Sequence, residues 1–154
     1  MQEWLGTFEI EFLINLGLGI LAGFLIGIER ESRGKDAGIS THTFVITGSM
    51  IFTMLSMKVD PASTSRIAAQ IVAGIGFLGA GLIIRQGKGV RNLTTAASVW
   101  YAAAIGMSLG FGFQVMAILA SIAAIFVPRI PHFKHIKYKM LNIPEEKKNM
   151  HQRK

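Results

Sequence analysis

Three groups of residues in this chain have the types and spacing to do chemistry. Gly74-Ile75-Gly76-Phe77-Leu78-Gly79-Ala80-Gly81 opens with G-x-G-x-x-G, the pattern of a loop that cradles a dinucleotide pyrophosphate. Glu29-Arg30, followed by Thr41-His42, offers a carboxylate, a guanidinium and an imidazole, the makings of an ion pair or a pH-sensitive contact. His132-x-x-His135 sets two imidazoles one helical turn apart, two of the ligands a metal needs.

Each motif makes demands on the elements around it. A dinucleotide loop needs a strand before it, an amphipathic helix after it, and an acidic residue about 20 positions on for the ribose. Here the glycines lie inside an apolar run, and after Asp60 the next acidic residue is Glu145. The nucleotide reading fails on both counts. The two histidines lack a third ligand, and the chain has no cysteine, so thiolate sites and disulfides are excluded. Serine and histidine never join an acid in a recognisable motif, so no enzyme activity and no cofactor are expected.

The elements that must hold these residues are apolar. Mean hydropathy is +0.44 and 16% of residues are charged, against about 25% in soluble domains. Ile10 to Ile28 is the first run, and its 19 residues reach ~28 Å at ~1.5 Å each, close to the hydrocarbon thickness of a bilayer. Thr43 to Met57 and Ile67 to Ile84 follow. From Leu93 to Val127 nothing is charged for 35 residues, too long for one span, and Leu109-Gly110-Phe111-Gly112 marks a tight turn within it. The expected fold is all-α: a polytopic transmembrane bundle over residues 1–128, with helices at about 10–28, 43–57, 67–84, 93–108 and 112–127.

The basic residues set an orientation. No Lys or Arg precedes residue 10, and with the N-terminus outside, the inner side collects fourteen Lys and Arg against two on the outer side. This is the positive-inside pattern, so the net charge of +7 is a topology signal and no nucleic-acid partner is expected. Glu3 and Glu9 stand where a signal peptide would carry positive charge, so the first run is expected to stay as a helix. In the tail, 129–154, Ile130, Phe133, Ile136 and Met140 recur at helical spacing among lysines, the pattern of an interfacial amphipathic helix on the anionic inner leaflet.

Inside a bilayer the glycines acquire another use. Membrane helices associate where small residues let backbones approach. Gly19, Gly23 and Gly27 recur every fourth residue, and Gly74, Gly76, Gly79 and Gly81 crowd the third run, so both are expected to be packing faces, extending to a homo-oligomer contact. Polar residues fall into two layers. Glu29, Arg30, Thr41, His42, Asn92, Thr94 and Thr95 lie towards the cytoplasm, and Glu11, Asp60, Arg66 and Gln70 towards the outside. The helix midpoints carry no ionisable group, which counts against an alternating-access carrier. Asn92 and Thr94 suit the start of a helix, where side-chain oxygens accept free amide protons.

Four strings, in order, resemble the MgtC/SapB family of bacterial inner-membrane proteins: Gly27-Ile28-Glu29-Arg30-Glu31, Ala37-Gly38-Ile39-Ser40-Thr41-His42, the stretch from Arg66 to Gly81, and Leu93-Thr94-Thr95-Ala96-Ala97-Ser98-Val99-Trp100. The resemblance covers residues 10–127. It implies a role in growth at low magnesium and in survival within host phagocytes, exerted by regulating other membrane proteins, the ATP synthase among them. It also marks Glu29, Arg30, Thr41, His42, Arg66, Gln70, Thr94, Thr95 and Trp100 as functional positions, with Asp60 near the outer end. The chain departs from the family pattern at Ser40, where an arginine is usual, and at Asn92, where a glycine is usual; Asn tolerates a left-handed backbone. The 27 residues after Val127 are too few for the family's cytoplasmic domain, so a short form lacking it is expected.

The expectation is a regulatory or partner-binding protein of the bacterial inner membrane. Its contacts are the lipid bilayer, a second membrane complex and further copies of itself. The alternative is a cation transporter or channel subunit, for magnesium, with Glu29, Asp60 and Glu11 as oxygen ligands.

Overall fold

The computed structural model describes residues 6–59, 61–86 and 89–130. Asp60, Lys88, the His132-x-x-His135 pair and the tail from 131 onwards lie outside the described residues. Five helices account for most of the chain: α1 (Thr7–Ser32), α2 (Ile39–Val59), α3 (Ser65–Leu82), α4 (Leu93–Gly110) and α5 (Gln114–Phe126), the last followed by a 3-10 turn at Val127–Arg129. α1, α2 and α3 are long and apolar enough to cross a membrane, and α5 is a shorter apolar helix.

α1 runs past Ile28 and α2 starts before Thr43, and the segment between them caps both of these ends. Arg33 ends α1; the Gly34 amide then bonds the Glu31 carbonyl and the Lys35 amide the Arg30 carbonyl. Gly34 sits at a φ of +62°, as this left-handed helix stop requires. Glu31 then turns forward, its Oε1 accepting the Ile39 amide at 2.9 Å, a carboxylate on the positive end of α2. The same chain segment thus closes one helix and opens the next.

α3 stops two residues short of the expected Ile84. Ile84–Gln86 instead pairs antiparallel with Gly89–Arg91, making a two-stranded hairpin (β1, β2) with Ile84 opposite Arg91. A three-residue strand is too short for an alternating pattern to be seen in the sequence. Gly112, at φ +81°, makes the tight turn between α4 and α5.

α2 and α4 form the centre, with α1, α3 and α5 packed around them. The main core joins Ile26, Ile46, Met50, Met54, Ala102, Ile105, Leu109 and Ala117. A smaller cluster of Ala37, Ile75, Val99 and Ala103 lies towards the hairpin. Phe77, Phe44, Val115 and Leu119 are among the large apolar side chains that point outward, as side chains facing lipid do.

The glycines divide into two kinds. A β-carbon on Gly23 would stand 2.6 Å from Thr43 Oγ1, and one on Gly27 would stand 2.6 Å from the Ile39 amide nitrogen. One on Gly19 would meet the Thr47 methyl at 3.3 Å. The α1 repeat therefore seats α2 at backbone contact. In α3 only Gly79 approaches a neighbour, Ala96; Gly74, Gly76 and Gly81 have open space around them. Of the α3 glycines expected to form a packing face, Gly74, Gly76 and Gly81 do not pack against another helix of this chain, because α3 buries only Ala68, Ile75 and Gly79. Gly106 and Gly110 do the packing work in α4, against Ile46 and against Thr53. Gly74 and Gly48 floor an apolar groove of about 440 Å³ between α2 and α3, lined by Phe44, Phe52, Ile71 and Leu78.

Candidate functional site

The ends of α1, α2, α4 and α5 that carry Arg30, His42, Thr95 and Arg129, together with the hairpin, form one basic end. Its polar groups are arranged around two buried residues of α1. Glu29 and Arg30 lie in the last turn of α1, and they are 3% and 1% exposed. Being adjacent on a helix they point in different directions, so one carboxylate oxygen of Glu29 stands 3.8 Å from Arg30 Nη1 without a hydrogen bond. The other oxygen accepts from Arg33 Nη1 at 3.1 Å, one helical turn on, and lies 3.7 Å from Arg129 Nε. Arg33 Nη1 also donates to the Pro128 carbonyl at 2.7 Å, tying the end of α1 to the 3-10 turn. Three guanidinium groups surround one carboxylate. Arg30 Nε, Nη1 and Nη2 and Glu29 Oε2 have no hydrogen-bond partner.

His42 lies on the first turns of α2, wholly buried. Its Nδ1–H donates to the Gly38 carbonyl at 2.9 Å, which leaves Nε2 facing the Ser98 hydroxyl at 3.2 Å. Ser98 donates in turn to the Thr95 carbonyl at 2.8 Å. Thr95 is buried and Thr94, beside it, faces outward. Thr41 is half-buried one residue before His42.

Asn92 stands at the start of α4 with a φ of +64°, the left-handed conformation in which Asn replaces Gly most readily. It does not cap the helix with its side chain, contrary to the expectation. In that backbone conformation the amide turns away from the first turn of α4, and Asn92 Nδ2 donates to Asp36 Oδ2 instead. The contact fastens the hairpin exit to the loop between α1 and α2.

The opposite end is sparser. Arg66 and Gln70 are exposed on α3, with Gln70 beside the α2–α3 groove. Asn15, buried, accepts from Gln114 Nε2 at 3.2 Å, joining α1 to α5. Between the ends, three buried hydroxyls of α2 serve their own helix: Thr47 donates to Thr43, Ser49 to Val45 and Thr53 to Ser49, each to the carbonyl one turn back, while Ser56 donates out of the helix to the Thr64 carbonyl. Glu11 and Glu29 lie on one helix 18 residues apart, ~27 Å at ~1.5 Å per residue, so they cannot share a metal ion. No group of three or more potential metal ligands forms among the described residues.

The structure thus brings Glu29, Arg30, His42 and Thr95 into buried positions at one end, sets Asn92 in its wall, and leaves Thr94, Arg66 and Gln70 on the surface. Sequence reasoning missed Ser98, which faces His42 across 56 positions, and Arg129, which reaches Glu29 from the end of α5. Neither pairing leaves a local pattern. Sequence reasoning also missed Gly106 and Gly110 as packing residues, although they share the four-residue spacing used for α1.

Comparison with known proteins places this arrangement. Residues 16–135 match the model of the MgtC family. The protein MgtC of Salmonella typhimurium (strain LT2) is 49% identical over 111 residues, 72% of this chain and 48% of that protein. The protein MgtC of Brucella abortus is 46% identical over 108 residues, 70% of this chain and 45% of that protein. YhiD of Escherichia coli (strain K12), whose name provisionally calls it a magnesium transporter, is 38% identical over 144 residues, 86% of this chain and 65% of that protein. The chain spans about half the length of the MgtC relatives it matches. No solved structure matches it. The match runs from mid-α1 past the last described helix, through both the Glu29 cluster and the glycine seam, and on this footing the chain is a membrane protein belonging to the MgtC family.

Proposed function

We propose that this is a multi-pass protein of the bacterial inner membrane, linked to magnesium limitation, that acts by contacting another membrane protein through its basic end. The supporting observation is where the charge is spent. Every described ionisable group with a buried side chain is at the basic end, in a cluster that carries more guanidinium than carboxylate. Thr47, Ser49 and Thr53, buried along the middle of α2, donate back into their own helix. Such an end is built to meet a partner surface, and the orientation given by the positive-inside pattern turns it to the cytoplasm. The ATP synthase is the first complex to test, on the family resemblance alone.

The name of the relative in Escherichia coli favours a second reading, transport of magnesium. Glu29 would be its ligand at the basic end. Three arginines around that carboxylate raise the cost of bringing a divalent cation to it.

One experiment separates the two. Purified protein is reconstituted in liposomes containing a magnesium-sensitive dye, and in parallel the tagged chain is isolated from native membranes. The regulatory reading expects no magnesium flux and a membrane complex whose recovery falls in Arg33→Glu and Arg91→Glu variants. Flux abolished by Glu29→Gln overturns it.

A further inference from the structure

The Glu29 cluster is unbalanced in a way that partner contact does not explain. A guanidinium stays charged under all physiological conditions. Burying one without acceptors is among the costliest arrangements a fold can hold. Arg30 is 1% exposed, all three of its nitrogens lack a partner, and Glu29 reaches it only at 3.8 Å. Glu29 meanwhile is shared with Arg33 and Arg129, so the three guanidinium groups hold one carboxylate among them and keep a surplus of two positive charges.

The other described acids at this end are engaged elsewhere. Glu31 is committed to the Ile39 amide and Asp36 to Asn92. The unmet requirement is an anion with several oxygens, able to engage more than one planar guanidinium fork. Phosphate has that geometry, and arginine is the side chain best matched to it.

We propose that Arg30, Arg33 and Arg129 form a binding site for a phosphate group, carried either by the headgroup of an anionic lipid or by a soluble phosphate compound. Arg30 is its buried floor. Arg33 and Arg129, 39% and 56% exposed, are its outer wall, and their side chains turn aside to admit the anion. Glu29 occupies the site in the absence of the ligand, as an internal stand-in for it. In the orientation given by the basic residues, this end lies at the depth of the inner-leaflet phosphates, where a lipid headgroup reaches it directly. The assignment is independent of whether the basic end also meets a protein.

The test uses the full chain in phosphatidylcholine nanodiscs and follows the thermal unfolding midpoint. Phosphatidylglycerol is titrated into the lipid in one arm. In the other, inorganic phosphate is added against chloride at equal ionic strength. Stabilisation by phosphatidylglycerol alone assigns the headgroup; stabilisation by inorganic phosphate as well assigns a soluble ligand. Arg33→Gln and Arg129→Gln, both at exposed positions and each compared with its own unfolding midpoint in phosphatidylcholine alone, should each weaken the effect about tenfold, the loss of one charge-assisted contact. Lys58→Gln at the far end should leave it unchanged. Glu29→Gln should tighten binding, because the competing carboxylate is gone. The proposal is overturned if neither anion stabilises the protein more than chloride, if both arginine variants retain the parent affinity, or if Glu29→Gln weakens binding.

Discussion

Asn92 carries two duties at once, a left-handed backbone at the entrance to α4 and a side-chain bond to Asp36. The two can be separated. Asn92→Gly keeps the backbone conformation and loses only the bond, whereas Asn92→Ala forces a β-carbon into a φ of +64°. Asn92→Ala should therefore cost about 1–2 kcal/mol more than Asn92→Gly, the left-handed penalty for an L-residue. Chemical unfolding of both variants in micelles checks this; equal stabilities would show that the side-chain bond is what matters. Asn92, Glu29, Arg30 and His42 were legible in the sequence because a polar residue at the edge of an apolar run must be either solvated or satisfied, and either answer draws notice. What each of them touches was not legible. Ser98 and Arg129 meet His42 and Glu29 only because α4 and α5 return to the same end of the bundle, and that depends on packing.

For the helices, spacing was informative where a second helix reads it. Gly23 and Gly27 leave room for α2 at backbone distance, and a β-carbon on Gly27 would run into Ile39. Gly27→Val should destabilise the protein by about 1–3 kcal/mol or more, the usual cost of overpacking a close contact. Gly76 has open space around it, so Gly76→Ala should leave stability unchanged or raise it by about 0.5–1 kcal/mol through lower backbone entropy in the unfolded chain. Thermal unfolding of the pair in one detergent decides the matter, and an equal loss in both would contradict this division of the glycines. The α3 glycines share the sequence signature of the α1 glycines without sharing their neighbours. A four-residue repeat says that a helix can be approached closely and not that anything approaches it. The hairpin after α3 escaped notice for a different reason: two strands of three residues give no periodicity to detect.

Across the whole molecule, the expected orientation rests on charge alone, and the fold supplies clean positions to test it. The chain has no native cysteine, so single substitutions report without background. Lys35 and Arg91 are exposed at the basic end, and Ala62 is exposed at the other. In intact cells a membrane-impermeant maleimide should label Ala62→Cys, and should label Lys35→Cys and Arg91→Cys only after permeabilisation; the reverse pattern would invert the orientation. The helix count and the apolar runs were legible because a bilayer imposes length and hydropathy on each span. The order of helices about α2 and α4 was not, since lipid-facing and helix-facing side chains are equally apolar and only shape tells them apart.

The lengths of these helices have one more consequence. α1 has 26 residues, ~39 Å at ~1.5 Å each, while α5 has 13, ~20 Å, to which its 3-10 turn adds ~6 Å. A hydrocarbon layer is ~30 Å thick. The apolar run of α1, ~28 Å, matches such a layer, whereas α5 with its 3-10 turn falls short of it. A bilayer around the bundle would meet helices of unequal apolar length, and the shortest of them is followed by the turn from which Arg129 reaches Glu29.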